Sequence, residues 1–271
     1  MKFNVQSELR RFLAEDIGKK DITSLLLSKK KITGRVISRN TGIVAGVNHA
    51  KKIFAMKGCT VKIMKKDGVK VTQNQTIMTV SGRADSILSC ERVVLNLMSR
   101  MSGIATQTNV LVKMIPKKTK LLSTRKTAPG LRYFDKEAVK IGGGEKHRMT
   151  LDEMVMIKDN HIAAEGSMMK LIQKAKRKHK KFEVEVEKKS DAILAAKEGV
   201  KIIMLDNFSP KQIRDTITLL KKEKLRNKVK LEASGGITIK NIKEYGKTGV
   251  DFISIGSITN SVKGLDLSLE V

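Results

Sequence analysis

The residues with the most chemical content lie between Ser123 and His161, in the run STRKTAPGLRYFDKEAVKIGGGEKHRMTLDEMVMIKDNH. Arg125, Lys126, His147, Arg148 and Lys158 are interleaved there with Pro129-Gly130 and the triplet Gly142-Gly143-Gly144. Cations set among turn-formers, at the ends of short apolar runs, suit a pocket for a small anion. A solvated basic face would not need the glycines. Charge-assisted and partly bidentate hydrogen bonds from such a set could hold a dicarboxylate. His147 alone would read as an ordinary structural histidine. Beside Arg148 and the glycines it is a candidate hydrogen-bond donor to that anion. His161 reads as a structural loop residue and His49 as a surface residue.

Acids follow the cations. Glu185 and Asp206 fall at neighbouring strand ends, where hard oxygen ligands could share a magnesium ion or hold ribose hydroxyls. In Glu183-Val184-Glu185-Val186-Glu187 the alternation turns all three glutamates to one side, expected to be the lumen of a barrel. Ser234-Gly235-Gly236, before a helix expected near Thr238, can offer backbone N–H groups and a helix N-terminus to a phosphate. Gly256 with Ser257 could close the same site. Arg92, in Glu91-Arg92-Val93-Val94-Leu95-Asn96, is too remote in sequence to be assigned from spacing.

These residues need a frame. After Pro116 the pattern is strand, loop, helix, repeated. Strands are expected at 120–124, 154–157, 182–186, 202–205, 229–231 and 252–255, with helices between most of them, such as 167–178 and 210–224. Alternating β and α with apolar, β-branched strands implies a parallel sheet covered by helices, with chemistry at the C-terminal strand ends. Arg125 and Lys126 follow the first strand and Lys158 the second. Glu185 lies in the third, Asp206 follows the fourth, Ser234 to Gly236 the fifth, and Gly256 the sixth. The layout suggests an incomplete (β/α) barrel. Residues 1–115 read as a compact α+β unit: a helix over 8–16, short strands at 32–37, 43–45, 61–64 and 76–80, and a helical connection over 84–114. Gly103 is expected to break that connection into two helices. The domains are therefore 1–115 and 116–271.

Composition narrows the class. The chain has 271 residues, 40% of them hydrophobic, enough for a substantial core. No apolar run is long enough to span a bilayer, and the first residues lack the apolar block of a signal peptide, so a cytoplasmic location is expected. Two cysteines, Cys59 and Cys90, form no disulfide framework. Fifty-five Lys and Arg against 27 Asp and Glu give a net charge of +28. That raises the question of a nucleic-acid partner, but the lysines are scattered, aromatics are only 3%, and tryptophan is absent, so no stacking platform can form. The basic surface is read as solvated and favourable to anionic substrates.

Taken in order, the strings closely resemble the quinolinate phosphoribosyltransferase family, also called nicotinate-nucleotide pyrophosphorylase (carboxylating). They are Glu15-Asp16-Ile17-Gly18, Asp21-Ile22-Thr23-Ser24, Glu91-Arg92, Leu95-Asn96 and Ser102-Gly103-Ile104-Ala105-Thr106. Thr124-Arg125-Lys126-Thr127, Gly142-Gly143-Gly144 before His147-Arg148, and Ile157-Lys158-Asp159-Asn160-His161 continue them. Glu183 to Glu187, Met204-Leu205-Asp206-Asn207-Phe208, Glu232-Ala233-Ser234-Gly235-Gly236 and Ser254-Ile255-Gly256 complete them. Departures are small: Lys19-Lys20 stands where a glycine usually precedes the aspartate, and Ala128 where threonine is common.

The resemblance implies an α/β protein with an N-terminal α/β sandwich domain followed by an open β/α barrel. It implies a homodimer, or a hexamer of three dimers, with an active site shared between subunits. Quinolinate and phosphoribosyl pyrophosphate would be the substrates, and nicotinate mononucleotide, CO2 and pyrophosphate the products, in NAD biosynthesis. Arg125, Lys126, His147, Arg148 and Lys158 would line the quinolinate and phosphoribosyl site, with Arg92 reaching into the neighbouring subunit. Lys126, Lys158, Glu185 and Asp206 would be catalytic, with Glu185 and Asp206 serving Mg2+. Ser234, Gly235, Gly236 and Gly256 would hold phosphate. A paralogue found with molybdate-transport genes, with a different acceptor, is the alternative, and Lys158 within Ile-Lys-Asp-Asn-His argues against it.

Overall fold

The computed structural model describes residues 3–271. Along the chain come α1 (Val5–Ile17), β1 (Lys31–Ser38), β2 (Gly42–Ile43), α2 (Val47–Met56), β3 (Thr60–Ile63), β4 (Lys70–Val71), β5 (Thr76–Arg83) and α3 (Ala84–Lys113). β6 (Lys120–Leu122), α4 (Arg132–Ile141), β7 (Met156–Ile157), α5 (Asp159–Glu165), α6 (Met168–Lys178), β8 (Glu183–Val186) and α7 (Lys189–Lys197) follow. The chain closes with β9 (Ile202–Asp206), α8 (Pro210–Lys222), β10 (Lys230–Ser234), α9 (Ile242–Gly246), β11 (Phe252–Ser254), α10 (Ser257–Asn260) and β12 (Leu267–Glu270). Among the described residues no helix is long and apolar enough to cross a membrane.

The chain folds as two compact units, and neither is a continuous segment. One comprises residues 1–109, 128–143 and 261–271, the other 110–127 and 144–260. The expected division at 115/116 therefore differs from the structure in three places, the first being that the boundary falls after residue 109. Residues 128–143 leave the barrel segment because α4 seats Phe134 against Phe12 and His49, with ring centroids 5.4 and 5.1 Å apart. The C-terminal strand β12 pairs with β1, Val36 opposite Leu269, and completes the antiparallel sheet β12-β1-β5-β3. His49, expected at the surface, is half-buried in that aromatic cluster.

Gly103 does not break the helical connection. α3 runs unbroken over 30 residues. A Cβ at Gly103 would lie 2.1 Å from the carbonyl oxygen of Lys263, so the glycine lets the C-terminal segment cross the helix closely. Its role is packing, which helical spacing alone cannot reveal.

In the second unit the six strands form one parallel sheet in the order β6-β11-β10-β9-β8-β7. β6 and β7 are its edges, so the barrel is open between them. The residues after Gly143 line that gap: Glu145 N–H donates to Leu121 O at 2.8 Å and Ser123 N–H to Glu145 O at 3.0 Å. Along each strand the residues alternate between two faces. Val184, Ile203, Leu205, Leu231 and Ala233 are fully buried, as are Ile172, Ile213 and Leu220 of the covering helices. Full burial of each large aliphatic side chain contributes roughly 2 kcal/mol. The alternate positions, Glu185, Met204, Asp206, Glu232, Ser234 and Ser254, line a cavity inside the barrel. Glu187 lies beyond the end of β8 and is exposed, so only Glu183 and Glu185 of the three glutamates are enclosed.

Candidate active site

The cavity holds about 350 Å³ and opens at the C-terminal ends of the strands. Arg125, Lys126, His147, Arg148 and Lys158 line it, as do Glu185, Asp206 and Ser234. Residues from five strands or their following loops, with His147 and Arg148 from the segment between α4 and β7, thus converge although up to 109 positions separate them. Register explains the convergence: Glu185 stands opposite Met204, Met204 opposite Glu232, and Asp206 opposite Ser234.

The loop after β6 is held by its own hydrogen bonds. Lys126 N–H donates to Thr124 Oγ1 at 3.1 Å, and Thr259 Oγ1 donates to the Lys126 carbonyl at 2.8 Å. Arg125 Nε is buried and, among the described residues, has no hydrogen-bond partner. Arg148 is 9% exposed. Its guanidinium donates to Met154 O at 2.9 Å, and burial and then Arg125 depress its pKa while Glu183 opposes. Lys158 caps α5, where its N–H donates to Nδ1 of His161 at 3.0 Å. His161 is therefore structural, as expected, but within the first turn of a helix rather than a loop. The Lys158 ammonium forms an ion pair with Glu185.

Asp206 ends β9 and accepts from Asn207 Nδ2 at 2.7 Å. Gly235 and Gly236 have φ of 87° and 61°. A Cβ at Gly235 would lie 2.1 Å from Asn207 Oδ1, so a side chain is excluded at that position. The helix expected near Thr238 starts only at Ile242, because Thr238 N–H is taken by Asn241 Oδ1 at 2.8 Å in a preceding turn. Backbone N–H groups of the glycines remain available to a phosphate, without a helix end beside them. Gly256 adjoins Lys126, with a Cβ position 3.0 Å from Lys126 Cδ.

Arg92 lies on α3 with a side chain 64% exposed and is not among the lining residues. His147 lines the cavity, but its Nε2 is 3.1 Å from Glu183 Oε2 and its Nδ1 accepts the Arg148 N–H at 2.8 Å. Both ring nitrogens have protein partners, so the ring is not a free donor to a ligand. Glu232, which spacing alone does not single out, is 1% exposed and lies beside His147. Its signal was an acid between Leu231 and Ala233 in the strand before Ser234-Gly235-Gly236.

Such a basket can neutralise a multiply charged anion on one side and place oxygen ligands opposite a second, phosphorylated group. Comparison with known proteins agrees with it. The family profile "Quinolinate phosphoribosyl transferase, C-terminal domain" matches residues 104–270, and its N-terminal counterpart matches residues 21–102. A probable nicotinate-nucleotide pyrophosphorylase (carboxylating) of Methanothermobacter thermautotrophicus is 42% identical over 272 residues, covering 97% of each chain. Its Bacillus subtilis counterpart is 40% identical, covering 97% of this chain and 92% of the relative. The solved nicotinate-nucleotide pyrophosphorylase of Francisella tularensis superposes with a TM-score of 0.91 at 40% identity, over 98% of this chain and 95% of that one. With both profiles in sequence order, and the motif residues gathered around one cavity, the chain belongs to the quinolinate phosphoribosyltransferase family.

Proposed function

We infer that this chain joins quinolinate to the ribosyl carbon of phosphoribosyl pyrophosphate and releases pyrophosphate, CO2 and nicotinate mononucleotide. The observation that carries the reading is the cavity itself: Arg125, Lys126, Arg148 and Lys158 line about 350 Å³ together with Glu185 and Asp206, and Lys158 pairs with Glu185. Four cations exceed what a monocarboxylate needs and match two ring carboxylates plus phosphate.

The cations hold the two carboxylates so that the pyridine nitrogen faces the anomeric carbon of the sugar. Lys126 and Lys158 stand where charge builds on the departing pyrophosphate, and Glu185 and Asp206 where positive charge builds on the ribose. Catalysis is then mainly positioning and preorganised electrostatics. The nitrogen gains a bond to carbon, the carbon–oxygen bond to pyrophosphate breaks, and the ring becomes cationic. That cation accepts the electron pair left when the adjacent carboxylate departs as CO2, and the ring carbon takes a proton. No side-chain nucleophile takes part. Gly235, Gly236 and Gly256 with Ser234 would hold phosphate.

Glu185 and Asp206 fit Mg2+ as a pair of carboxylates whose remaining shell comes from water and substrate phosphate. Lys158 holds one oxygen of Glu185 and Asn207 one of Asp206, which leaves the second oxygen of each to a metal. When bound, Mg2+ would neutralise charge on the pyrophosphate. Arg92, exposed on α3, would complete the site of a second copy in a homodimer or a hexamer of dimers. A cytoplasmic enzyme is the corresponding setting.

Purified protein incubated with quinolinate, phosphoribosyl pyrophosphate and Mg2+ should yield nicotinate mononucleotide and pyrophosphate by mass spectrometry. A parallel sample given nicotinate should yield none. Product from neither, in a folded sample, would refute the reaction and point to the paralogue's different acceptor.

A further inference from the structure

Inside the barrel, His147, Glu183 and Glu232 present one nitrogen and two carboxyl oxygens within 4.8 Å of one another. Both acids are shut in, at 0% and 1% exposure. Glu183 Oε2 is 3.1 Å from His147 Nε2, and Glu232 Oε2 is 3.6 Å from the same nitrogen. Ser254 Oγ donates to Glu232 Oε1 at 2.6 Å. Among the described residues, Glu183 Oε1 and Glu232 Oε2 receive no hydrogen bond from any N–H or hydroxyl group. Two buried acids with orphan oxygens require an occupant, either a cation or a proton.

The ring nitrogens decide between the two. Because the Arg148 N–H donates to Nδ1, that nitrogen carries the lone pair and Nε2 carries the hydrogen, which points at Glu183. A metal on Nε2 would drive the hydrogen onto Nδ1, against the Arg148 N–H. A hydrogen on Glu232 instead gives both orphan oxygens a partner and removes one of two like charges. Glu183 Oε2 then accepts from His147 Nε2.

The backbone gives this arrangement a purpose. His147 has a φ of 50°, a left-handed conformation that a residue with a side chain holds only when its surroundings fix it. Packing from below is incomplete, because a second cavity of about 290 Å³ reaches His147, Arg148 and Glu232 from the other end of the strands, beside Ile202 and Phe252. Hydrogen bonds must therefore hold the ring. The turn at His147 is what directs Arg148 into the wall of the upper cavity.

We propose that Glu183 and Glu232 are positioning residues: Glu232 carries a hydrogen, Glu183 accepts from His147, and together they lock His147 as its Nε2–H form so that Arg148 is presented to a substrate carboxylate. The kinetic part of this proposal rests on the activity inferred above; the ring state does not.

The test reads the two separately. In ¹⁵N-histidine-labelled full-length protein, with the His147 signal assigned by its loss in His147→Asn, Nδ1 should be unprotonated and Nε2 protonated. Glu232→Gln keeps a donor hydrogen in place and should preserve this pattern, whereas Glu232→Ala should lose it. Glu232→Ala should also raise the KM for quinolinate about tenfold, the effect of one broken buried hydrogen bond, with the KM for phosphoribosyl pyrophosphate little changed. Glu232→Gln should restore the parental KM.

A protonated Nδ1 or a stoichiometric metal in the purified protein would overturn the lock in favour of a metal site. Accumulation of the undecarboxylated nucleotide by Glu232→Gln would overturn it in favour of proton donation to the ring carbon. Should Glu232→Ala fail to fold, the parent and Glu232→Gln spectra still decide the ring state. A parent that turns over no quinolinate would refute the inferred activity and leave the lock to be judged by the nitrogen spectrum.

Discussion

Glu183 and Glu185 stand two residues apart on β8, on the same face of the same strand, in different chemistry. Glu185 reaches the open cavity and pairs with Lys158, and across the mouth Asp206 ends the next strand. Glu183 faces His147 deeper inside, across from Glu232. Burial pushes Glu183 up to about 7, with Arg148 opposing, and pushes Glu232 up to about 8, with the charge of Glu183 adding to it. Glu185 and Asp206 lie at the rim, where the proposed metal and sugar would sit, and Glu183 and Glu232 lie at the floor, almost wholly enclosed by protein. If the proposed roles hold, depth in the barrel, rather than residue type, separates a reacting group from one that holds the frame.

The comparison breaks first at the rim. Lys158→Ala should lower kcat/KM for quinolinate about 10²- to 10³-fold, the scale for removing one preorganised charge, while the melting temperature stays unchanged. Steady-state kinetics with a thermal melt check both, and near-normal turnover would remove Lys158 from the site. Next, a chelator should stop the reaction and added Mg2+ restore it. Turnover indifferent to chelation would strip Glu185 and Asp206 of their metal role.

A smaller effect tests whether the rim is complete in one chain. Inactive Arg92→Ala and Arg125→Ala chains, mixed under conditions of verified subunit exchange, should regain part of the parental rate. Mixtures that stay inactive would count against a shared site. The smallest effect concerns the floor. The folded chain keeps a proton on Glu232 that the unfolded chain releases above its ordinary value of 4.5. Between there and about 8 the folded state binds more protons, so this group makes stability fall as pH rises, and the fall levels off above that window. Glu232→Gln should flatten the slope in thermal melts across the same range, and an unchanged slope would mean that Glu232 is not the titrating acid.

Much of this site was legible beforehand because strand-end chemistry is local. Arg125 and Lys126 follow β6, Lys158 follows β7, and Asp206 ends β9, each identified by the apolar run before it. Gly103 misled because its reason for being glycine is the carbonyl of Lys263, which is 160 positions away in sequence. The four residues of β12 are too short to announce a partner, and β1 lies more than 200 positions earlier. Nothing in the structure explains the charge of +28.

The amino-acid sequence by itself determined the α/β alternation, the strand ends that carry charge, and the face toward which Glu183 and Glu185 point, because a strand's period of two is a property of the backbone. It could not determine how deep each lies, which nitrogen of His147 holds the hydrogen, or that Glu232 is its neighbour. Those were decided when β8, β10 and the residues around His147 closed on one another and removed water. Solvation and proton occupancy depend on distances between groups far apart in the chain, and only the tertiary structure sets those distances.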